Sequence, residues 1–412
     1  MRIGKRITCC RKGAVFLMLL FMVWIYPLSA QKKEISTARD NIKKNKNLEQ
    51  AEKSMLNLLK DSANRRNEKI WVTMFDAIVK QYEQGNEKLY LKQKYDTAQF
   101  FNLTKRLFTV AVSADSIDVL PDKKGNVSLD YRKKHAEILH RYRPNLYNGG
   151  LYYIRKQKFS EAYSFFDTYI DSANQPLFER QRYNETDGKM PEAAYWAVYC
   201  GYKMKDPKAT LHHTYLALKD TAHYCMMLQY LAETYRLEND TARYVSTLAE
   251  GFRKYPLFDF FFPRLVQYYG ERGEWERVLQ LADSAISVNA ESAIFRLAKG
   301  NALLNLGKYE DCIAVCDQLI AENDSLSDAY YNAGMAYFYM AVDLDKKIQL
   351  SAKQKKKIKD YYQKALPYLT CFRALEPGQA VRWGMPLYTI YLHLNMGDEF
   401  DEIDNILRRN GK

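Results

Sequence analysis

What this chain has little of narrows the reading before any motif does. Its 412 residues include 18 glycines and 11 prolines, and no Ser/Gly/Pro-rich linker interrupts it. A chain so poor in breakers, with 47% hydrophobic residues, is expected to be helical from end to end. The longest apolar run, Ala14 to Tyr26, has 13 residues, short of the roughly 20 that span a bilayer. Only six histidines are present. Of the seven cysteines, Cys9 and Cys10 precede the apolar run. The other five, Cys200, Cys225, Cys312, Cys316 and Cys371, are an odd number, which argues against a complete disulfide framework and leaves room for one bridge in an oxidising compartment.

The N-terminus carries Arg2, Lys5, Arg6, Arg11 and Lys12, then the apolar run, then Pro27 and "LSAQ". That layout is a secretory signal peptide over residues 1–30, cut after Ala30. A lipidated cysteine would have to follow the apolar run, so the exported chain is expected to be unlipidated, soluble and located in the periplasm or cell envelope. Without those five basic residues, 57 Lys and Arg face 49 acids, and the formal charge falls from +13 to +8. The two signs are interleaved along the chain, so nucleic-acid binding is not expected. The dense run "KQKKKIK" at Lys353–Lys359 reads as the solvated face of an inserted helix.

Internal periodicity at 34 residues is the strongest signal. Leu228 and Phe262 are 34 apart, as are Leu231 and Leu265, Tyr235 and Tyr269, Gly273 and Gly307, and Trp275 and Tyr309. Leu248, Ala282 and Cys316 form one triplet, and Tyr244, Val278 and Cys312 another. Phe262-x2-Leu265-Val266-x2-Tyr269 followed by Val278-x3-Ala282-x2-Ala285 resembles the unit of the tetratricopeptide repeat (TPR) family, W-x2-L-G-x2-Y then A-x3-F-x2-A. Leu228-x2-Leu231-Ala232-x2-Tyr235 begins another unit, with Pro256 where the family's closing proline falls. Gly150-x2-Tyr153 leads into Ala162-x3-Phe166-x2-Tyr169, and Ala365-x3-Leu369-x2-Phe372 ends at Pro377.

The resemblance implies an all-α solenoid of helix hairpins winding as a right-handed superhelix. Units are expected near 143–176, 191–224, 225–258, 259–292, 293–326 and 327–377, with a divergent end at 378–412. Residues 31–142 are expected to be a degenerate, repeat-like helical region, on the evidence of Ala51-x3-Met55-x2-Leu58 and Trp71-x2-Met74-Phe75-x2-Ile78. The insertion between "MAYFYM" and "KALPYL" should lengthen both helices of its hairpin. Arg296 and Lys299 stand where large apolar residues are expected, so that helix should be slipped or locally exposed. In this register Gly300 marks a close approach of two helices, and Gly307 ends the first helix. Cys312 and Cys316 are small core residues, with no further His or Cys near them in sequence to complete a metal site.

Catalytic readings have weaker support. Glu291-Ser292 matches the general-acid dipeptide of lytic transglycosylases, but the glycine-rich segment that follows it in those enzymes is replaced by "AIFRLAKGN". A carbohydrate-binding protein of the SusD-like type would carry a lipidated N-terminus and long loop insertions. His212 and His213 are adjacent on a helix and so should point different ways, while His135 and His140 sit among basic residues. All four read as surface or packing residues, and no cofactor or metal is expected.

The leading reading is a non-catalytic scaffold that binds a protein or peptide. The resemblance implies a concave groove lined by the first helix of each hairpin. Residue by residue this selects Tyr147, then Tyr195, Tyr199, Tyr202 and Lys203, then Gln229, Glu233 and Arg236. Further along it selects Gln267, then Asn301 and Asn305, and finally Tyr331, Met335, Phe338 and Tyr339. Leu297 lies one turn before Asn301, where a carboxylate-gripping Lys would be needed, so binding of a chaperone's C-terminal tail is not expected.

Overall fold

The computed structural model describes residues 31–121, 125, 127, 129–346 and 349–410. The expected signal segment and its cleavage point lie outside them. Among the described residues the regular structure is helical, with no strand. None of these helices is long and apolar enough to cross a membrane. The chain divides into two compact units, residues 1–238 and 239–412.

In the first unit, α1 (31–43) and α2 (Leu48–Leu58) precede two long helices, α3 (Glu68–Tyr90) and α4 (Thr97–Asp118). Both long helices start at side-chain caps: Asn67 accepts from the Lys69 amide and Asp96 from the Ala98 amide, a bond that satisfies an otherwise orphaned donor. Ala51, Met55, Met74, Phe75 and Ile78 from the two degenerate motifs are all buried. At 23 and 22 residues, however, α3 and α4 far exceed a repeat helix.

After α5 (Arg132–Tyr142) come the hairpin α6 (Pro144–Arg155) and α7 (Phe159–Asp171), then the short α8 (Tyr183–Thr186). Next is α9 (Met190–Met204), whose partner helix is broken into α10 (Pro207–His212) and α11 (Thr214–Ala217). α12 (Tyr224–Leu237) ends the unit. The connection through Asp187 is held by buried Arg143. Its guanidinium lies between the rings of Tyr169 and Tyr183, 3.7 and 3.9 Å from their centroids, and pairs with Asp187. Its Nε donates to Ser172 Oγ at 2.9 Å.

The second unit comprises α13 (Thr241–Lys254), α14 (Phe261–Gly270), α15 (Trp275–Val288), α16 (Ala293–Asn305), α17 (Tyr309–Glu322), α18 (Ser327–Asp345), α19 (Ala352–Leu375), α20 (Ala380–Leu394) and α21 (Gly397–Asn410). The 34-residue step is visible in the coordinates. The helices α13, α15 and α17 start at Thr241, Trp275 and Tyr309, and Leu248, Ala282 and Cys316 are each fully buried, as are Val278 and Cys312. This is the helix-hairpin register of tetratricopeptide repeats. Each hairpin buries its apolar face against the next, so the period in the sequence is the period of packing.

Close helix approach depends on small residues. A Cβ on Gly334 would lie 2.7 Å from Leu369 of α19, and one on Gly300 would lie 3.1 Å from Cys316 Sγ. The inserted hairpin is lengthened as expected, with 19 residues in α18 and 24 in α19. Arg296 does not displace α16. Its Nη1 donates to Glu322 Oε1 at 2.7 Å, tying α16 to the end of α17, and Lys299 pairs with Asp283 of α15 at 2.8 Å.

Candidate partner-binding surface

In the first unit the first-helix face is centred on α9. Ala193, Ala194, Ala197 and Gly201 are buried there, and a Cβ on Gly201 would sit 2.4 Å from the Thr210 backbone nitrogen of α10. With its small residues turned inward, α9 carries Trp196, Tyr199 and Tyr202 half-buried on its other side. Tyr199 and Tyr202 pack on Tyr230 of α12, with centroids 5.7 and 4.5 Å apart. The exposed ammonium of Lys203 lies 5.4 and 5.8 Å from the Tyr199 and Tyr202 rings. Burial raises the Tyr199 phenol above its ordinary value, so its hydroxyl stays neutral on this face.

Two of the expected groove residues in this unit are core instead. Tyr147 is 6% exposed, edge-on to Phe166, and Tyr195 is 5% exposed, stacked 4.1 Å from His223. Their rings are long enough to cross to the neighbouring element, so a position on the first helix did not make them surface residues. Gln229 and Glu233 are half-buried and Arg236 is exposed. Arg236 pairs with Glu233 at 2.7 Å along α12.

In the second unit the polar members of the set bond to residues one turn along the chain. Gln267 donates to Glu271 at 2.8 Å, and Asn305 donates to Asn301 Oδ1 at 3.0 Å. On α18, Met335 is a core residue at 4% exposure, so the expected apolar stripe is interrupted at its centre. Tyr331 and Phe338 are half-buried and Tyr339 is exposed. Tyr331 lies between Phe372 of α19, at 5.0 Å, and the Arg382 guanidinium of α20, at 4.0 Å. Arg382 is fixed by Asp328 at 2.9 Å. Phe338 contacts Tyr362 at 5.9 Å, and Tyr339 faces Tyr309 at 6.2 Å. The Tyr309 hydroxyl donates to Asp343 at 2.8 Å, and burial together with that carboxylate pushes its pKa up to about 12. Sequence reasoning missed Tyr309 and Arg382, which enter the surface from the second helix and from the next hairpin.

The remaining sequence candidates separate clearly. Glu291 is exposed at the turn before α16, where its carbonyl accepts from Arg296. Cys312 and Cys316 are buried free thiols. The Cys312 Sγ donates to the Asn332 carbonyl at 3.7 Å, and contact with Cys312 followed by burial pushes the Cys316 thiol up. Lys353, Lys355, Lys356, Lys357 and Lys359 are exposed on the first turns of α19. His135 is buried, and His140 is exposed with its Nδ1 2.9 Å from the Tyr183 hydroxyl. His212 and His213 do not point apart. Their rings lie 4.2 Å from each other, and the helix breaks at His213. A polar cleft of about 690 Å³, lined by Glu49, Gln81, Gln84, Tyr95 and Gln99 among others, lies among α2, α3 and α4. No repeat register runs through that region to signal it in the sequence.

No protein-family profile and no curated protein matches the chain. Among solved structures, the C-terminal part of a TPR repeat-containing protein from Cytophaga hutchinsonii is similar over 65% of this chain and 94% of that one, at 11% identity and a TM-score of 0.42. A TPR repeats protein from Bacteroides fragilis is similar over 64% of this chain and 98% of that one, at 16% identity and a TM-score of 0.29. The TPR2AB domain of yeast Sti1, in complex with an HSP90 peptide, is similar over 82% and 99%, at 15% identity and a TM-score of 0.26.

Proposed function

We propose that this chain is a non-catalytic interaction scaffold that is exported to the cell envelope and holds a protein or peptide partner against the first-helix faces of its hairpins. One observation carries the reading. First helices α9 and α18 turn small residues toward their sister helices and leave partly exposed aromatic groups at the surface, with Lys203 beside Tyr199 on α9 and Arg382, held by Asp328, beside Tyr331 on α18. Rigid aromatic side chains next to Lys or Arg are the groups that most often anchor a partner, since they contribute large contact area at little entropic cost. The export half of the reading rests on the N-terminal sequence pattern.

The test uses a photo-crosslinking amino acid placed at Tyr199 or Tyr339 in cells, with exposed Ser284 on second helix α15 as the control. A discrete adduct from the first-helix positions and none from Ser284 supports the surface. Equal labelling at all three positions, or none at any, rules it out. Intact mass of the envelope fraction checks the export reading separately: a chain beginning at Gln31 without an acyl group is expected.

A further inference from the structure

The helix α7 carries two carboxylates one turn apart, Asp167 and Asp171. In the next hairpin the second helix breaks opposite them: α10 stops at His212, His213 has φ −106 and ψ 14, and α11 resumes at Thr214. On an unbroken helix, consecutive side chains diverge by about 100°. The break turns the two rings toward each other, 4.2 Å between centroids and nearly perpendicular. His213 Nε2 lies 2.8 Å from Asp167 Oδ1. One donor atom from each of Asp167, Asp171, His212 and His213 lies within 4.8 Å of every other.

We propose that these four side chains form a site for a divalent transition metal, zinc or an ion of similar preference, which clasps α7 to the break between α10 and α11. Two imidazoles with two carboxylates suit zinc, nickel or copper better than calcium or magnesium, which take oxygen ligands. Metal–ligand bonds of about 2.1 Å place neighbouring donors about 3 to 3.4 Å apart. The Asp167–His213 pair is already near that spacing, with a proton where the ion would sit. The remaining donors close by side-chain rotation.

Burial is graded in the way such a site requires. His213 is buried, Asp167 and Asp171 are half-buried, and His212 is exposed, so three ligands are held by packing and the fourth can close from solvent. Charge argues in the same direction. Like charges four residues apart on a helix disfavour it, and a divalent cation between them would reverse that sign. A buried histidine satisfied by one aspartate accounts for His213 and Asp167. It does not account for an exposed His212 ring turned in over its neighbour, or for the second carboxylate.

The test uses the untagged protein, stripped with a chelator and titrated with cobalt(II) by visible absorption and with zinc by calorimetry. One ion per chain is expected. His212→Ala and Asp171→Asn should each weaken binding by at least about tenfold, and the double variant should abolish it. His393→Ala, an exposed histidine elsewhere, should leave it unchanged. Zinc should also slow hydrogen exchange across α10 and α11 in the unaltered chain. Circular dichroism confirms that the variants fold, since His212 is exposed. Absence of stoichiometric binding at submillimolar zinc, or binding that persists unchanged in the double variant, overturns the proposal.

Discussion

Lys205, Asn239, Gly273 and Gly307 recur at 34-residue intervals, and all four take left-handed backbone, with φ of 55, 58, 69 and 73. Each stands just past the end of a first helix, where the chain must reverse. An L side chain in that conformation costs about 1–2 kcal/mol, part of which glycine gives back through a more flexible unfolded chain. Lys205→Gly is therefore expected to stabilise by about 0.5 kcal/mol and Gly273→Ala to destabilise by about 1 kcal/mol. Denaturant melts read both. Equal and opposite signs to these would mean that the turns are not strained as described. A second residue-scale case is His135, its ring tilted against Phe75 at 4.1 Å, with no hydrogen-bond partner for Nε2 among the described residues. Burial, reinforced by Lys134, lowers its pKa to about 4. Below about pH 6.5 the unfolded chain takes up a proton that the folded chain refuses, so this group's stabilisation is lost as pH falls from 6.5 toward 4. The loss is on the order of 3 kcal/mol. His135→Phe should remove that slope, and the difference in melting temperature between the two proteins should widen in the variant's favour as pH falls through this window. Parallel pH profiles would contradict the assignment.

At the scale of elements, α18 separates anchors from core. Met335 is 4% exposed while Tyr331 and Phe338 are half-buried. Met335→Ala should cost about 2–5 kcal/mol of stability. The pair Tyr331→Ala and Phe338→Ala should weaken partner capture by about 2 kcal/mol or more and lower the melting temperature less than Met335→Ala does. Capture that is unchanged, or a melting loss equal to that of Met335→Ala, would reassign both rings to the core. The helices from α14 to α19 were legible in the sequence because a fixed register of small and large residues states which faces meet. The burial of Tyr147, Tyr195 and Met335 was not legible. The repeat pattern gives a residue's place on its helix, while exposure depends on how far its side chain reaches and on what the adjacent hairpin offers. The convergence of His212 and His213 was hidden for a related reason. Reading them as neighbours on one helix assumed a continuous α10, and the backbone at His213 breaks it.

At the scale of the molecule, packing within the second unit is nearly one-dimensional: its helices contact those next to them in sequence or one further along. In such an array, stability is approximately a sum of terms for each repeat and each interface between neighbours, so damage should stay local. Leu369 is the sharpest probe, being fully buried and seated against Gly334 at a close approach of α18 and α19. Leu369→Ala opens that contact, and glycine opposite it has no side chain to refill the gap. The expected cost is about 2–5 kcal/mol. Hydrogen exchange should therefore speed up most in α18 and α19, less in α17 and α20, and not measurably in α6, α7 and α9 of the first unit. A uniform rise across the chain would show instead that both units unfold as one cooperative body, and that the 34-residue period records how the helices pack without setting the size of the unit that unfolds.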